Sequence, residues 1–246
     1  MKEKIILHRG YKGKYPENSL ISFENALKEN KAFETDIRVS RDGVPFMIHD
    51  ETLNRLFDGT GRIKDLDSYE LINFRYLENG GLRLVSLMEL CELIKKYNYD
   101  NLIFVHIKEL EDINGVIKVL NNYNLNNIIR FFACDNLTLK FIELIEAKYP
   151  KYSAGLHFYE NSPYYNREIF EKADFIWADE IHFKWIDREK TEFAHSFGKP
   201  FYAISPELIT ESVFNADIKG RWEELIEAGV DAVCTDMPEE FMNFYP

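Results

Sequence analysis

The sequence predicts an α/β fold, most economically one β/α barrel, with a doubly wound open sheet as the alternative that alternation alone does not exclude. Three observations carry this expectation. Short apolar runs alternate with amphipathic helical patterns from one end of the chain to the other. Roughly eight strand–helix units follow one another, the number a closed barrel needs. The 246 residues, 46% of them hydrophobic, suffice for one large core, and no low-complexity linker interrupts them. A single domain over 1–246 is expected, with a small insertion at about 50–84.

The elements follow in order. KIILH (4–8) has the composition of a strand, and ENSLISFENALKEN (17–30) places Leu20, Phe23 and Leu27 on one helical stripe. FETDIRV (33–39) and VPFMIH (44–49) are extended segments joined by the turn Arg41-Asp42-Gly43. Residues 50–84 are irregular and rich in glycine and charge. SLMELCELIKKY (86–97) starts on a serine with a glutamate three residues later, the pattern of a capped helix. Strands are then expected near 103, 129, 154, 176, 202 and 232, each followed by a helix. The extended run at 44–49 belongs to the second unit rather than forming a ninth.

Composition narrows the function. Thirty Lys and Arg against 42 Asp and Glu give a formal charge of −12, so the cationic footprint required by nucleic acid is missing. Cys91, Cys134 and Cys234 are widely spaced in apolar surroundings and are expected to be reduced core residues. The apolar run before His8 is too short for a secretory signal, and no stretch reaches the length that spans a bilayer. A cytoplasmic protein acting on a small molecule is expected.

Polar residues interrupt the strands at their carboxyl ends, where barrel enzymes place their chemistry. His8-Arg9 closes the first strand and His49 the extended run after the second. Glu34 and Asp36 lie two apart, so both carboxylates point to one side, and His106 and Lys108 repeat that spacing in the third strand. Two like charges on one face call for a cation, which makes a divalent metal site. Two imidazoles beside it supply acid and base near neutral pH, while Arg9 and Lys108 suit a phosphate anion. Singly, each residue has a structural explanation, since a strand-end histidine or a snorkelling lysine is common. Jointly they form a kit for phosphoester hydrolysis.

Several longer stretches resemble one family. LHRGYKGKYPENSLISFENAL (7–27), FETDIRVSRDGVPFMIHDETLNR (33–55), GTGRIKDL (59–66) and IEAGVDAVCTDMP (226–238) are similar, in that order, to the motifs of the glycerophosphodiester phosphodiesterases. The resemblance implies a TIM (β/α)8 barrel with a small insertion after the second strand. It implies a divalent cation, calcium or magnesium, held by Glu34 and Asp36, with His8 and His49 as the acid/base pair and Arg9 near the phosphate. The substrate it implies is a glycerophosphodiester, cleaved to sn-glycerol 3-phosphate and an alcohol.

One departure stands out. The family's third strand usually reads Glu-x-Lys, and here it reads His106-x-Lys108. Imidazole suits zinc or manganese better than the hard ions calcium and magnesium. A changed metal preference, a weakened calcium or magnesium site completed by water, and a non-catalytic relative that binds a phosphorylated metabolite or a partner are the three consequences to weigh. Tyr202 stands where the family commonly has a pocket tryptophan and is expected to wall the substrate. His157, His182 and Trp185 are further candidates for that lining.

Overall fold

The computed structural model describes residues 4–160, 162, 167–180, 182–208 and 217–245. Nine strands are present among them: β1 (Ile5–Leu7), β2 (Phe33–Val39), β3 (Pro45–Met47), β4 (Ile103–Ile107), β5 (Ile129–Ala133), β6 (Ser153–Phe158), β7 (Phe175–Ala178), β8 (Phe201–Ile204) and β9 (Ala232–Thr235). Their order in the sheet is β1-β9-β8-β7-β6-β5-β4-β2-β3, and β1 also pairs with β2. This is the (β/α)8, or TIM, barrel. β3 is the ninth strand and runs antiparallel to β2, with Ile37 opposite Met47. The barrel strands read as near-continuous buried apolar runs, as parallel strands covered on both faces do.

Backbone contacts divide the chain into two compact units, residues 8–129 and residues 1–7 with 130–246. In the first, α1 (Leu20–Lys28) starts later than the periodicity of 17–30 suggests. Asn18 takes a left-handed backbone with φ of 51°, and Ser19 is the N-cap, its side chain accepting from Ser22 N. The helix α2 is one turn, Ser68–Leu71. The next helix, α3 (Leu87–Tyr97), has the reciprocal capping box between Ser86 and Glu89, and Asn98 ends it at φ 49°. α4 (Ile113–Tyr123) buries Ile113, Val116, Ile117 and Leu120. The segment after β3 packs with Phe46 of that strand into an apolar cluster that adds Ile48, Leu53, Phe57, Ile63, Leu71, Tyr76 and Leu84.

The second unit carries α5 (Asp135–Lys148), α6 (Arg167–Lys172), α7 (Arg188–Ser196), α8 (Ile218–Ala228) and α9 (Pro238–Phe244). Its strands stay in parallel register, with Leu156 beside Ile176, Trp177 beside Tyr202 and Ala203 beside Val233. Phe132 stacks on Trp177 at 4.6 Å between ring centroids. None of the three cysteines is in a disulfide. Cys91 and Cys234 are buried, whereas Cys134 is partly exposed because it leaves the core at the N-cap of α5. Among the described residues no helix is long and apolar enough to cross a membrane.

Candidate active site

The site is built within residues 8–129, and strand register explains most of it. β2 and β4 run side by side with Asp36 opposite His106 and Glu34 opposite Phe104. Because side chains alternate along a strand, Glu34, Asp36, His106 and Lys108 all project from one side. Glu34 is 3% exposed and Asp36 1%. Ligand atoms of Glu34, Asp36 and His106 lie within 4.8 Å of one another.

The HRG tripeptide is delivered by an unusual turn. Arg9 (φ 49°) and Gly10 (φ 77°) both adopt left-handed backbone immediately after β1. That reversal lets Gly10 N donate to Glu34 O at 2.9 Å and Arg9 N to the Glu34 carboxylate at 3.1 Å. A non-glycine residue in this region is uncommon and is held only where surrounding bonds over-determine it. Here Asn18 N donates to Arg9 O at 2.9 Å, and the Ser22 hydroxyl donates to the same carbonyl at 3.2 Å. His8 is brought to the carboxylates, its Nε2 3.9 Å from Glu34 Oε2.

His49 follows β3. Ile48 N donates to Asp36 O at 3.0 Å, and the Arg38 side chain donates to His49 O at 2.9 Å, so the backbone is pinned on both sides of the imidazole. The ring's Nδ1 lies 2.9 Å from Asp50 Oδ1. The bond from His49, joined by those from Arg55, holds the Asp50 carboxyl well below the usual carboxylate range.

Electrostatics divide the two buried acids. Burial, reinforced by repulsion from Asp36, raises Glu34 well above its ordinary pKa against the opposing pull of Lys108 and Arg9. Burial opposes ionisation of Asp36 too, but Lys108, His106, Arg9 and His49 overcome it and pull that carboxyl down. Two like charges in one dry space separate in this way. Lys108, only 7% exposed, does not snorkel; its Nζ lies 2.7 Å from Asp36 Oδ1 and 2.8 Å from His106 Nδ1. Arg9 Nε is 3.3 Å from Asp36 Oδ2.

Two carboxylates and one imidazole fit a divalent cation. Their donor atoms already converge, and three protein ligands leave positions for substrate, as catalytic metal sites do. Glu109, next in sequence to Lys108, faces away and pairs with Arg38 at 3.1 Å and Lys64 at 3.6 Å.

Three residues in this site escaped the reading of single motifs. Glu17, 4% exposed, accepts from Arg9 at 2.7 Å and from Arg55 at 2.7 and 3.1 Å. Asn18 donates to Asp36 Oδ2 at 3.3 Å and accepts from Thr35 Oγ1 at 2.8 Å. Arg55 also clamps Asp50, at 2.6 and 3.0 Å. The available signal was their place inside the stretches 7–27 and 33–55, whose resemblance to the family names no role for them. Tyr202 belongs to the other unit, where it is 5% exposed with its ring 5.9 Å from Phe175 and 6.3 Å from Trp177. His157, in that unit as well, lies 3.0 Å from Asp179, whose backbone oxygen accepts from Trp185 Nε1 at 2.7 Å. His182 N donates to Glu160 at 2.6 Å.

Comparison with known proteins gives a consistent picture. The sequence pattern of the glycerophosphoryl diester phosphodiesterase family matches residues 8–240. A glycerophosphodiester phosphodiesterase of Caldanaerobacter subterraneus is 27% identical over 99% of this chain and 98% of its own length. One from Bacillus altitudinis is 40% identical over 37% of this chain and 40% of its own. Among solved structures, a phosphodiesterase of Oleispira antarctica in complex with the product sn-glycerol 3-phosphate superposes with a TM-score of 0.80. It is 22% identical in sequence, covering 98% of this chain and 96% of that one. With the pattern matched over nearly the whole length, the chain belongs to the glycerophosphoryl diester phosphodiesterase family and is an enzyme of the phosphoric diester hydrolase class.

Proposed function

We propose that this chain hydrolyses a glycerophosphodiester to sn-glycerol 3-phosphate and an alcohol, with a divalent cation and two histidines. The observation that carries the reading is the register-fixed convergence of Glu34, Asp36 and His106, with His8 3.9 Å from Glu34. The product bound to the Oleispira antarctica structure supports the substrate class.

Glu34, Asp36 and His106 hold the cation, which when bound supplies positive charge against the developing phosphorane. Arg9 and Lys108 bind and orient the phosphoryl oxygens, Arg9 by its fork and Lys108 as a buried point charge. His8, beside Glu34, is the base that takes a proton from the attacking water, whose oxygen bonds to phosphorus as the alcohol oxygen leaves. His49, its Nδ1–H donating to Asp50, acts from its doubly protonated form, in which Nε2 carries the proton given to the leaving oxygen. The imidazole of His106 turns metal preference from calcium and magnesium toward manganese or zinc.

The test is release of sn-glycerol 3-phosphate from a panel of glycerophosphodiesters with magnesium, calcium, manganese and zinc, followed by phosphorus NMR to separate hydrolysis from cyclic phosphate formation. His8→Ala and His49→Ala are expected to lose about 10²- to 10⁴-fold in kcat, the usual contribution of general acid–base catalysis. Absence of product from every substrate and metal pair refutes the reading. So does full activity in both variants.

A further inference from the structure

We infer that Arg55 is a positioning residue, which ties the guanidinium of Arg9 and the imidazole of His49 together through one ionic strap, Arg9–Glu17–Arg55–Asp50–His49. The inference rests on the proposed roles of Arg9 and His49, and it concerns residues those roles leave unexplained.

The geometry is continuous. Arg9 Nη1 donates to Glu17 Oε1 at 2.7 Å. Arg55 donates to the same carboxylate twice, Nη2 to Oε1 at 2.7 Å and Nη1 to Oε2 at 3.1 Å. Its Nε and Nη2 donate to both oxygens of Asp50 at 2.6 and 3.0 Å. Asp50 then meets His49 Nδ1 at 2.9 Å. One guanidinium therefore makes two bidentate pairs, an arrangement that a lysine ammonium cannot reproduce.

Each link has a directional consequence. Asp50 is ionised, since His49 and Arg55 depress its pKa, and an ionised carboxylate only accepts. His49 Nδ1 must therefore be the donor, which leaves Nε2 as the atom that handles the substrate proton. Without Arg55, Asp50 rotates freely about its side chain and the imidazole loses its reference direction. Glu17 is almost fully buried and, with Arg55 gone, would keep only Arg9 at 2.7 Å and Lys12 at 4.0 Å, drawing the Arg9 guanidinium toward itself and away from the phosphate.

Arg55 itself has a half-exposed side chain. Its bonds to the buried Glu17 also stabilise the fold, because removing one partner leaves a buried carboxylate short of its countercharge. The His49 tautomer and kcat, which a merely structural role would not move, are therefore the readouts that carry the inference.

The test uses the full chain and two independent readouts. In ¹⁵N-histidine-labelled protein, the His49 signal, assigned by its loss in His49→Gln, is expected to report the Nδ1-protonated tautomer. In Arg55→Gln and in Asp50→Asn it should shift toward a tautomer mixture. In turnover, Arg55→Gln is expected to lower kcat about ten- to a hundredfold, the range for residues that orient a reacting group. Arg55→Lys should resemble Arg55→Gln rather than the wild type. Arg55→Gln with Asp50→Asn should be no slower than the slower single variant, because both break one chain. An unchanged His49 tautomer in Arg55→Gln, wild-type activity in Arg55→Lys, or kcat losses that multiply would each overturn the inference. The tautomer is read without turnover, so a chain inactive toward every diester sinks the proposed function while the strap is still judged. Should Arg55→Gln not fold, Asp50→Asn and Arg55→Lys carry the same two readouts.

Discussion

Replacing Gly10 by alanine tests whether the turn behind His8 and Arg9 is held by sterics as well as by hydrogen bonds. Gly10 has φ of 77°, and Gly43, in the turn between β2 and β3, has φ of 84°. An added methyl group meets the left-handed backbone penalty at both. Only at Gly10 does it also meet neighbours: it would overlap Ser22 Oγ and lie 3.1 Å from Phe23 Cδ1, whereas nothing is within 4 Å at Gly43. Ser22 cannot yield, since its hydroxyl accepts from Tyr11 N at 2.5 Å, donates to Arg9 O and is wholly buried. The backbone penalty is about 1 kcal/mol at each site. Overpacking adds about 2 kcal/mol at Gly10 alone. For a chain of this length each kcal/mol moves Tm by roughly 3 °C, so Gly43→Ala should lose about 3 °C and Gly10→Ala about 9 °C. Thermal unfolding followed by circular dichroism measures both. Equal losses in the two variants would refute the steric account.

Three further outcomes are expected. The Ser40 and Ser68 hydroxyls hold Asp42 down to about 2 from an ordinary 3.8, so its contribution is complete above that ordinary value and is lost as pH falls toward the folded one. The stability gap between wild type and Asp42→Asn should therefore close between about pH 4 and pH 2, in urea titrations at each pH. Leu53, fully buried in the cluster after β3, should cost about 2–5 kcal/mol on truncation to alanine, measured by urea unfolding. Glu34→Gln mimics the protonated carboxyl that burial favours, so the metal-free Tm should stay near wild type. The rise of about 2.7 kcal/mol given to the wild type by manganese at a hundred times its Kd should disappear in that variant, as read by calorimetry. A metal-induced rise that survives would mean Glu34 is no ligand.

Much of the barrel was legible because its strands are apolar runs that end in polar residues, so KIILH and NLIFVHI announce both the strand and its chemical end. Period-two spacing alone put Glu34 with Asp36 and His106 with Lys108. What brought the two pairs together was register, Asp36 opposite His106, and nothing local in either strand specifies that alignment. The start of α1 departs from its helical spacing for a related reason. Helical spacing runs back to Glu17, but the chain uses Glu17 and Asn18 for long-range bonds and begins its helix after Ser19. Glu17 and Arg55 are 38 residues apart, and their pairing exists only once the turn after β1 and the segment after β3 have folded. Cys134 followed the apolar sequence around it, yet it occupies the helix N-cap, where a strand emerges from cover.

The apolar cluster after β3 reaches the turn that follows β1 through a hydroxyl: Tyr76, itself part of that cluster, donates to the backbone oxygen of Glu17 at 2.8 Å. Away from Arg55, the outer surface of this segment can vary, but a change that shifts the Tyr76 ring tugs on Glu17, the residue that accepts from Arg9. Apart from Arg55 and Asp50, tolerance to sequence drift in this segment should thus be graded from the outside inward, with the tyrosine ring as the point where drift reaches Glu17.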